Sequence, residues 1–369
     1  MHFVLVSFYA VQNIGDRILT DCVSKLLSKK GISCQIVDIQ GRFAFSDTDT
    51  EEQRKMKRKL SEKNAFQTAF SLFLDRVLCG CSLVLFAGGA ILDVVQDPIA
   101  KNIFLICDKA NSLGIPVAFN AVGFYGNLED NEDRSDYLRQ ALMLPKVKWI
   151  SVRERASDMY SLLGRRKEFT QCCDTAVWAG ELFNVSHNDI SSRNIGINVV
   201  SPEYFIGKSI MSVKTFYLDL YMRLTASGFT CSFFTNGSPR DYIFAKDLVQ
   251  ELGLPYNAVS GFNSYDCHSF LILLSKYSLI ISSRLHTSVC SYSLKIPALC
   301  VAWDKKQKEF YEQIGKPDWL IEQSDETPIT RRVLRALNGR IEGVQYTLYR
   351  NTVLKNLDSI CEIGTREAM

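Results

Sequence analysis

Residues 282–287 read Ser-Ser-Arg-Leu-His-Thr, which sets a charged fork and a titratable ring two positions apart. They follow an apolar run at 278–282 that reads as a strand, and they open a helix at Thr287. Side chains at such a junction stand where an α/β sheet presents its ligands, at a strand's carboxyl end. The backbone N–H groups of the helix's first turn, together with its dipole, favour a bound anion. Arg284 supplies a planar guanidinium that grips phosphate or carboxylate with two hydrogen bonds. His286 exchanges a proton near neutral pH. The plainer alternative is a structural ion pair for Arg284 and a capping or packed ring for His286.

These residues need a sheet to hold them, and the chain alternates as such a sheet requires. Strands are expected over 3–8, 33–39, 82–86, 116–120 and 149–153, with helices following a turn at 13–16 and over 99–113 and 156–163. The third strand ends in Gly88-Gly89. After a polar stretch at 181–193 the pattern restarts, with strands over 194–200, 230–235, 278–282 and 298–302. Helices fall between them, over 213–227, 241–251, 269–276 and 287–294, and a last helical stretch covers 330–363. Near-continuous apolar strands joined by helices mark parallel sheets covered on both faces. The expected fold class is therefore α/β, with two Rossmann-like parallel-sheet domains facing a central cleft. The length of 369 residues exceeds what one core sustains. The expected domains are 1–185 and 194–345, with a C-terminal helix at 346–369 crossing back to the first.

Composition narrows the classes. A net charge of +3 over this length is far from the basic excess of a nucleic-acid binder. The 12 cysteines are scattered, with Cys79 and Cys81 two apart and Cys172 and Cys173 adjacent, and they form no C-x-x-C pair. Reduced, buried thiols of a cytoplasmic protein fit that spacing better than a disulfide framework. The opening MHFVLVSFYA lacks the basic flank and cleavage site of a signal peptide. No apolar run reaches the ~20 residues of a membrane helix. The stretch at 49–66, DTEEQRKMKRKLSEKNAF, is rich in lysine and arginine. Its plainer reading is a solvated helix or insertion. Its sharper reading, for 51–66, is a peripheral contact with anionic lipid or a diphosphate-linked acceptor.

The run at 281–315, ISSRLHTSVCSYSLKIPALCVAWDKKQKEFYEQIG, is similar to the C-terminal signature of the polysaccharide pyruvyl transferase family. It carries that family's Arg-x-His element at Arg284-Leu285-His286, its Lys-x-Pro turn at Lys295-Ile296-Pro297, and a following lysine at Lys305 or Lys306. Asn13-Ile14-Gly15-Asp16 resembles the family's first loop, where a glycine lets the backbone approach a ligand. Gly88-Gly89 with Leu92 and Asp93 resembles its glycine pair, and Ser151–Ser157 resembles its strand–helix junction around Arg153, with Asp174 following. The sequence departs from the pattern at Phe8-Tyr9-Ala10 and at Ala90, where family members carry glycine.

The resemblance implies transfer of a pyruvyl group from phosphoenolpyruvate to a sugar, forming a ketal, with no cofactor and no metal. On that scheme Arg284, with Leu285 beside it, holds the donor, and Lys306 or its neighbour Lys305 adds a second anion contact. His286 is the general acid, or else the residue that protonates the leaving phosphate. Asp16 orients or deprotonates a sugar hydroxyl, or else caps the first helix. Arg153 is a further charge contact, or the partner of Glu154 and Asp174. Asn13, Gly15, Gly88 and Gly89 shape the backbone or the acceptor loop. The implied acceptor is a galactose-type or other hexose, free or lipid-diphosphate-linked, met in the cytoplasm or on the inner face of the membrane. A nucleotide-sugar glycosyltransferase of the same GT-B-like architecture is the first rival, since fold does not fix function. An inactive subunit of a polysaccharide assembly complex is the second. A nicotinamide enzyme is disfavoured, because neither glycine loop reads G-x-G-x-x-G.

Overall fold

The computed structural model describes residues 1–10, 13–40, 44–46, 50, 52, 70–187, 193–205, 209–255, 258–260, 266–302, 304–321, 327–339 and 341–366. The chain forms two compact α/β units. One comprises Met1–Val11, Leu19–Thr175 and Arg350–Met369, the other Gln12–Ile18 and Ala176–Tyr349.

The first unit is built on strands β1 (His2–Ser7), β2 (Ser33–Asp38), β3 (Ala44–Ser46), β4 (Leu83–Phe86), β5 (Gly89–Asp93), β6 (Val117–Tyr125), β7 (Val147–Val152) and β8 (Thr170–Gln171). Their order is β3-β2-β1-β4-β6-β7-β8, with β5 also paired to β6. Among the described residues of this unit only the β2–β3 pairing is antiparallel. The four residues of β4, Leu-Val-Leu-Phe, are all buried, as a strand covered on both faces requires. Phe86 and Phe119 stack across β4 and β6 with ring centroids 4.3 Å apart. Gly88 follows β4 at φ +102°, where a Cβ would come within 2.9 Å of the Asn120 carbonyl oxygen, so glycine is required there.

The second unit holds β9 (Asn194–Asn198), β10 (Thr230–Phe234), β11 (Val259–Ser260), β12 (Leu279–Ser282), β13 (Ala298–Val301) and β14 (Leu320–Ile321). The order is β11-β10-β9-β12-β13-β14, and every pairing among the described residues is parallel. Counted from β9 this is the doubly wound 3-2-1-4-5-6 order. The winding reverses between β9 and β12, and ligands of such sheets bind outside the carboxyl ends at that reversal.

The units divide differently from the expected boundaries. The chain enters the second unit at Ala176 rather than beyond 185, because the helix Ala179–Leu182 packs there: the Gly180 N–H donates to Ser293 Oγ at 2.7 Å. Residues 12–18 also belong to that unit, where the Ile14 N–H donates to the Asn236 carbonyl at 3.1 Å. The single helical stretch expected over 330–363 is two helices, Ile329–Leu337 and Val344–Arg366. Asn338-Gly339 and Gly343, at φ +87°, interrupt it. From Arg350 onward the last helix belongs to the first unit, where Asn356 receives the Trp149 indole N–H at 2.8 Å and donates to Asn120 at 2.7 Å. The basic segment at 51–66 lies outside the described residues apart from Glu52.

Candidate active site

The loop that leaves β12 is held from several sides of the second unit. Ser282 Oγ donates to Asn198 Oδ1 at 3.1 Å, joining the ends of β12 and β9 across the winding reversal. Ser282 Oγ also accepts the Arg284 N–H at 3.0 Å, which tightens the turn into the helix Leu285–Ser293. Tyr217 Oη lies 3.3 Å from Ser283 Oγ and accepts the Val200 N–H at 3.2 Å. Burial pushes that phenol's pKa up to about 12, so it stays a neutral hydrogen-bonding post. Gln307, fully buried, donates to the Ser283 carbonyl at 2.7 Å and accepts the Asp304 N–H at 3.2 Å. A capping box on the helix Lys305–Gln313 thus ties its first turn to the loop.

Arg284 stands at the N-cap of its helix with extended backbone (φ −109°, ψ 125°). Its Nη2 and Nε donate to one oxygen of Asp241, at 2.6 and 3.2 Å. The other Asp241 oxygen accepts the Ser201 N–H at 2.9 Å. The guanidinium carbon lies 4.3 Å from the centroid of the Tyr204 ring. Burial opposes the charge, but Asp241 and Tyr204 outweigh it and raise the Arg284 pKa further. The Asp241 side chain is fully enclosed while that of Arg284 keeps 14% exposure. Leu285 is buried, so it offers the site its backbone rather than its side chain.

His286 lies half-buried in the first turn of that helix, against the Asn13–Asp16 loop of the same unit. The fit is close enough that a Cβ on Gly15 would fall 2.2 Å from His286 Nδ1. Asn13 shapes this loop: its Oδ1 accepts the Gly15 N–H at 3.1 Å and its Nδ2 donates to Asp16 Oδ2 at 2.8 Å. The Asn236 amide approaches Asn13 Oδ1 at 3.4 Å. Asp16 lies in the first turn of the helix Ile14–Lys29, a place where its charge also complements the helix dipole. Lys306, half-buried, pairs with Asp304 at 3.1 Å, whereas Lys305 next to it is exposed.

The first unit treats its candidates differently. Arg153 is buried with both neighbours that the sequence offered. Nε and Nη2 meet the two oxygens of Glu154, the second at 3.2 Å, and Nη1 donates to Asp174. Burial opposes the Arg153 charge, yet the two carboxylates raise its pKa beyond the ordinary arginine range. Gly88 and Gly89 shape the turn between β4 and β5. Asp93 is fully buried and accepts the Val95 and Gln96 N–H groups at 2.7 and 2.8 Å.

The second unit therefore gathers Asn13, Gly15, Asp16, Arg284, Leu285, His286, Lys305 and Lys306, while Arg153, Gly88 and Gly89 belong to the first. Sequence reading passed over Asp241, Tyr204, Asn198 and Gln307. The stretch Ser238-Pro239-Arg240-Asp241 carries a helix-start signal, but nothing local links Asp241 to an arginine later in the chain. No group of three or more His, Cys, Asp or Glu side chains among the described residues is arranged to hold a metal ion. No helix among them is long and apolar enough to cross a membrane.

Two parallel-sheet units of this kind, with charged residues at the carboxyl ends of the strands, define a GT-B-like enzyme architecture. Solved structures agree on the fold. A putative UDP-N-acetylglucosamine 2-epimerase from Listeria monocytogenes superimposes with a TM-score of 0.60 at 10% identity, over 95% of this chain and 91% of that one. The UDP-GlcNAc 2-epimerase from Neisseria meningitidis, bound to UDP-GlcNAc, gives 0.57 at 12% identity over 98% and 99%. Anabaena HepE, in complex with UDP and glucose, gives 0.57 at 10% identity over the whole of both chains. No curated protein sequence matches significantly. The model of the polysaccharide pyruvyl transferase family matches residues 13–305, most of the chain, and the protein belongs to that family.

Proposed function

We propose that this transferase moves the pyruvyl group of phosphoenolpyruvate onto two hydroxyls of a sugar, in a polysaccharide or its lipid-linked precursor. The observation that carries the reading is the contact of His286 with the Asn13–Asp16 loop, which unites two family motifs from opposite ends of the matched region. The reaction balances without a further reagent. One hydroxyl oxygen bonds the enol carbon, phosphate leaves, and the second hydroxyl closes the ketal. Of the two hydroxyl protons, one ends on the donor's methylene carbon and one on phosphate.

His286 is the group that delivers a proton to the methylene carbon or to the departing phosphate. Asp16 takes or orients a hydroxyl proton. Arg284, its position fixed by Asp241, and the first turn of its helix stabilise the donor's negative charge. Lys306, with Lys305 as the alternative, adds a second cation. Arg153 has no such role here, since both edges of its fork meet carboxylates. A hexose of the galactose type is the proposed acceptor, met in the cytoplasm or at the inner membrane face.

A nucleotide-sugar glycosyltransferase is the second reading, supported by the fold shared with HepE and its UDP complex. An inactive assembly subunit is the third. The test supplies phosphoenolpyruvate and a panel of free and lipid-linked hexose acceptors, and follows phosphate release and acceptor mass. A ketal mass gain, reduced about 100-fold or more in His286→Ala and Arg284→Ala proteins that still fold, supports the reading. No mass gain, with thermal protection by a nucleotide sugar alone, replaces it by the glycosyltransferase. Silence in both arms favours the inactive subunit.

A further inference from the structure

A groove of about 490 Å³ lies in the first unit, lined by the amino-terminal half of β7, the end of the helix Ala156–Leu163 and the start of β8. It is remote along β7 from Arg153, which follows that strand's carboxyl end. Its volume falls in the range of sites for small ligands. Three aromatic rings and three cations share it: Trp149, Tyr160 and Phe169, with Lys148, Arg165 and Lys167.

Two of the rings pack on each other and the third is held by its N–H. The Trp149 indole is anchored by its N–H bond to Asn356. Tyr160 and Phe169 meet edge to face with centroids 4.6 Å apart. Tyr160 nevertheless keeps 62% exposure, which is a large apolar surface to leave in water. The cations lack acidic partners. Among the described residues none of the three forms an ion pair, and Lys167 donates instead to the Leu144 carbonyl at 3.2 Å. Glu168 is the one carboxylate of the lining, against three positive charges. Partial burial, with the Lys148 charge nearby, lowers the Lys167 pKa. An anion received between these groups would relieve that repulsion.

We propose that this groove binds an acidic sugar, the rings meeting the face of the pyranose and the cations its carboxylate. Aromatic faces pack on the apolar side of a sugar ring, and charge-assisted bonds to a carboxylate fix its orientation. A sugar carrying a pyruvate ketal has this chemistry, and so has a uronic acid. The first source rests on the proposed reaction and makes the groove a holding site for product already formed on a growing chain; the second does not depend on that reaction.

The test titrates the full chain, without phosphoenolpyruvate, with four probes: a methyl galactoside bearing a pyruvate ketal, plain methyl galactoside, methyl glucuronoside and inorganic tripolyphosphate. Binding is read by calorimetry and ligand-observed NMR. The expected result is saturable binding of an acidic glycoside, weakened about tenfold or more by Lys148→Glu with Arg165→Glu and also by Tyr160→Ala. All variants are checked for an unchanged melting midpoint. Binding of the ketal supports the product source, and binding of the glucuronoside alone supports the groove with another acidic sugar. Because no turnover is involved, a failure of ketal synthesis leaves this readout standing. Equal binding of the neutral galactoside, tripolyphosphate binding indifferent to Tyr160→Ala, or no binding at all overturns the proposal.

Discussion

Two arginines, one in each unit, follow the carboxyl ends of parallel strands, and their surroundings separate them. Arg153 is matched by two carboxylates, with Arg153 5%, Glu154 3% and Asp174 2% exposed at their side chains. Those carboxylates take Nε, Nη1 and Nη2 of the fork and leave no edge of it for an anion. Arg284 meets one carboxylate through one oxygen, rests on an aromatic face, and keeps 14% exposure. Its pair with Asp241 is electrically balanced and stands at a helix's positive end. The same residue type after the carboxyl end of a parallel strand is thus enclosed by carboxylates in one unit, and in the other left partly open beside the winding reversal.

The largest expected effect breaks the first of these. Arg153→Met takes the guanidinium away from the buried Glu154 and Asp174, at a cost of about 3–5 kcal/mol in stability. Arg153→Lys rescues little of it, because an ammonium cannot meet both carboxylates in the fork geometry. Denaturant unfolding followed by circular dichroism measures both, and an unchanged midpoint would refute a core role for the cluster.

The second effect concerns activity. Gly15→Ala places a methyl group 2.2 Å from His286 Nδ1, so the ring must turn away. Alanine at this helical position gains up to ~1 kcal/mol in helix propensity, which offsets part of the strain. The expected outcome is a melting midpoint shifted by a few degrees at most and phosphate release lowered about 100-fold. In a His286→Ala background the same substitution should cost nothing further, because the two changes remove one contact. Additive losses would mean that Gly15 acts by another route.

Much of this layout was legible beforehand, and the exceptions have physical causes. Apolar runs such as Leu83–Phe86 announce buried strands because parallel sheets need no polar face. The Arg284–His286 junction announces itself through its place between strand and helix. Short strands such as Thr170–Gln171 and Val259–Ser260 owe their pairing to the neighbouring strand rather than to local sequence, so no run of residues marks them. Asp241 was invisible for a related reason. Its partner is 43 positions away, and only the doubly wound order of β9, β10 and β12 brings the loops after those strands together.

That pairing yields the smallest effect and the finest test of the comparison. Asp241→Asn keeps the shape of the side chain, and its amide oxygen still accepts from Arg284, but its NH2 then faces the Ser201 N–H that the other carboxylate oxygen accepts, and the balancing charge is gone. Loss of one charge-assisted bond in a buried setting costs about 1–3 kcal/mol, well below the Arg153 cluster. The uncompensated guanidinium then attracts anions more strongly. If Arg284 lines the donor site, KM for phosphoenolpyruvate falls about threefold or more while stability drops, whereas Arg153→Lys shows the stability loss without the change in KM. If Arg284 is purely structural, both variants lose stability and neither moves KM, and the distinction between the two arginines collapses.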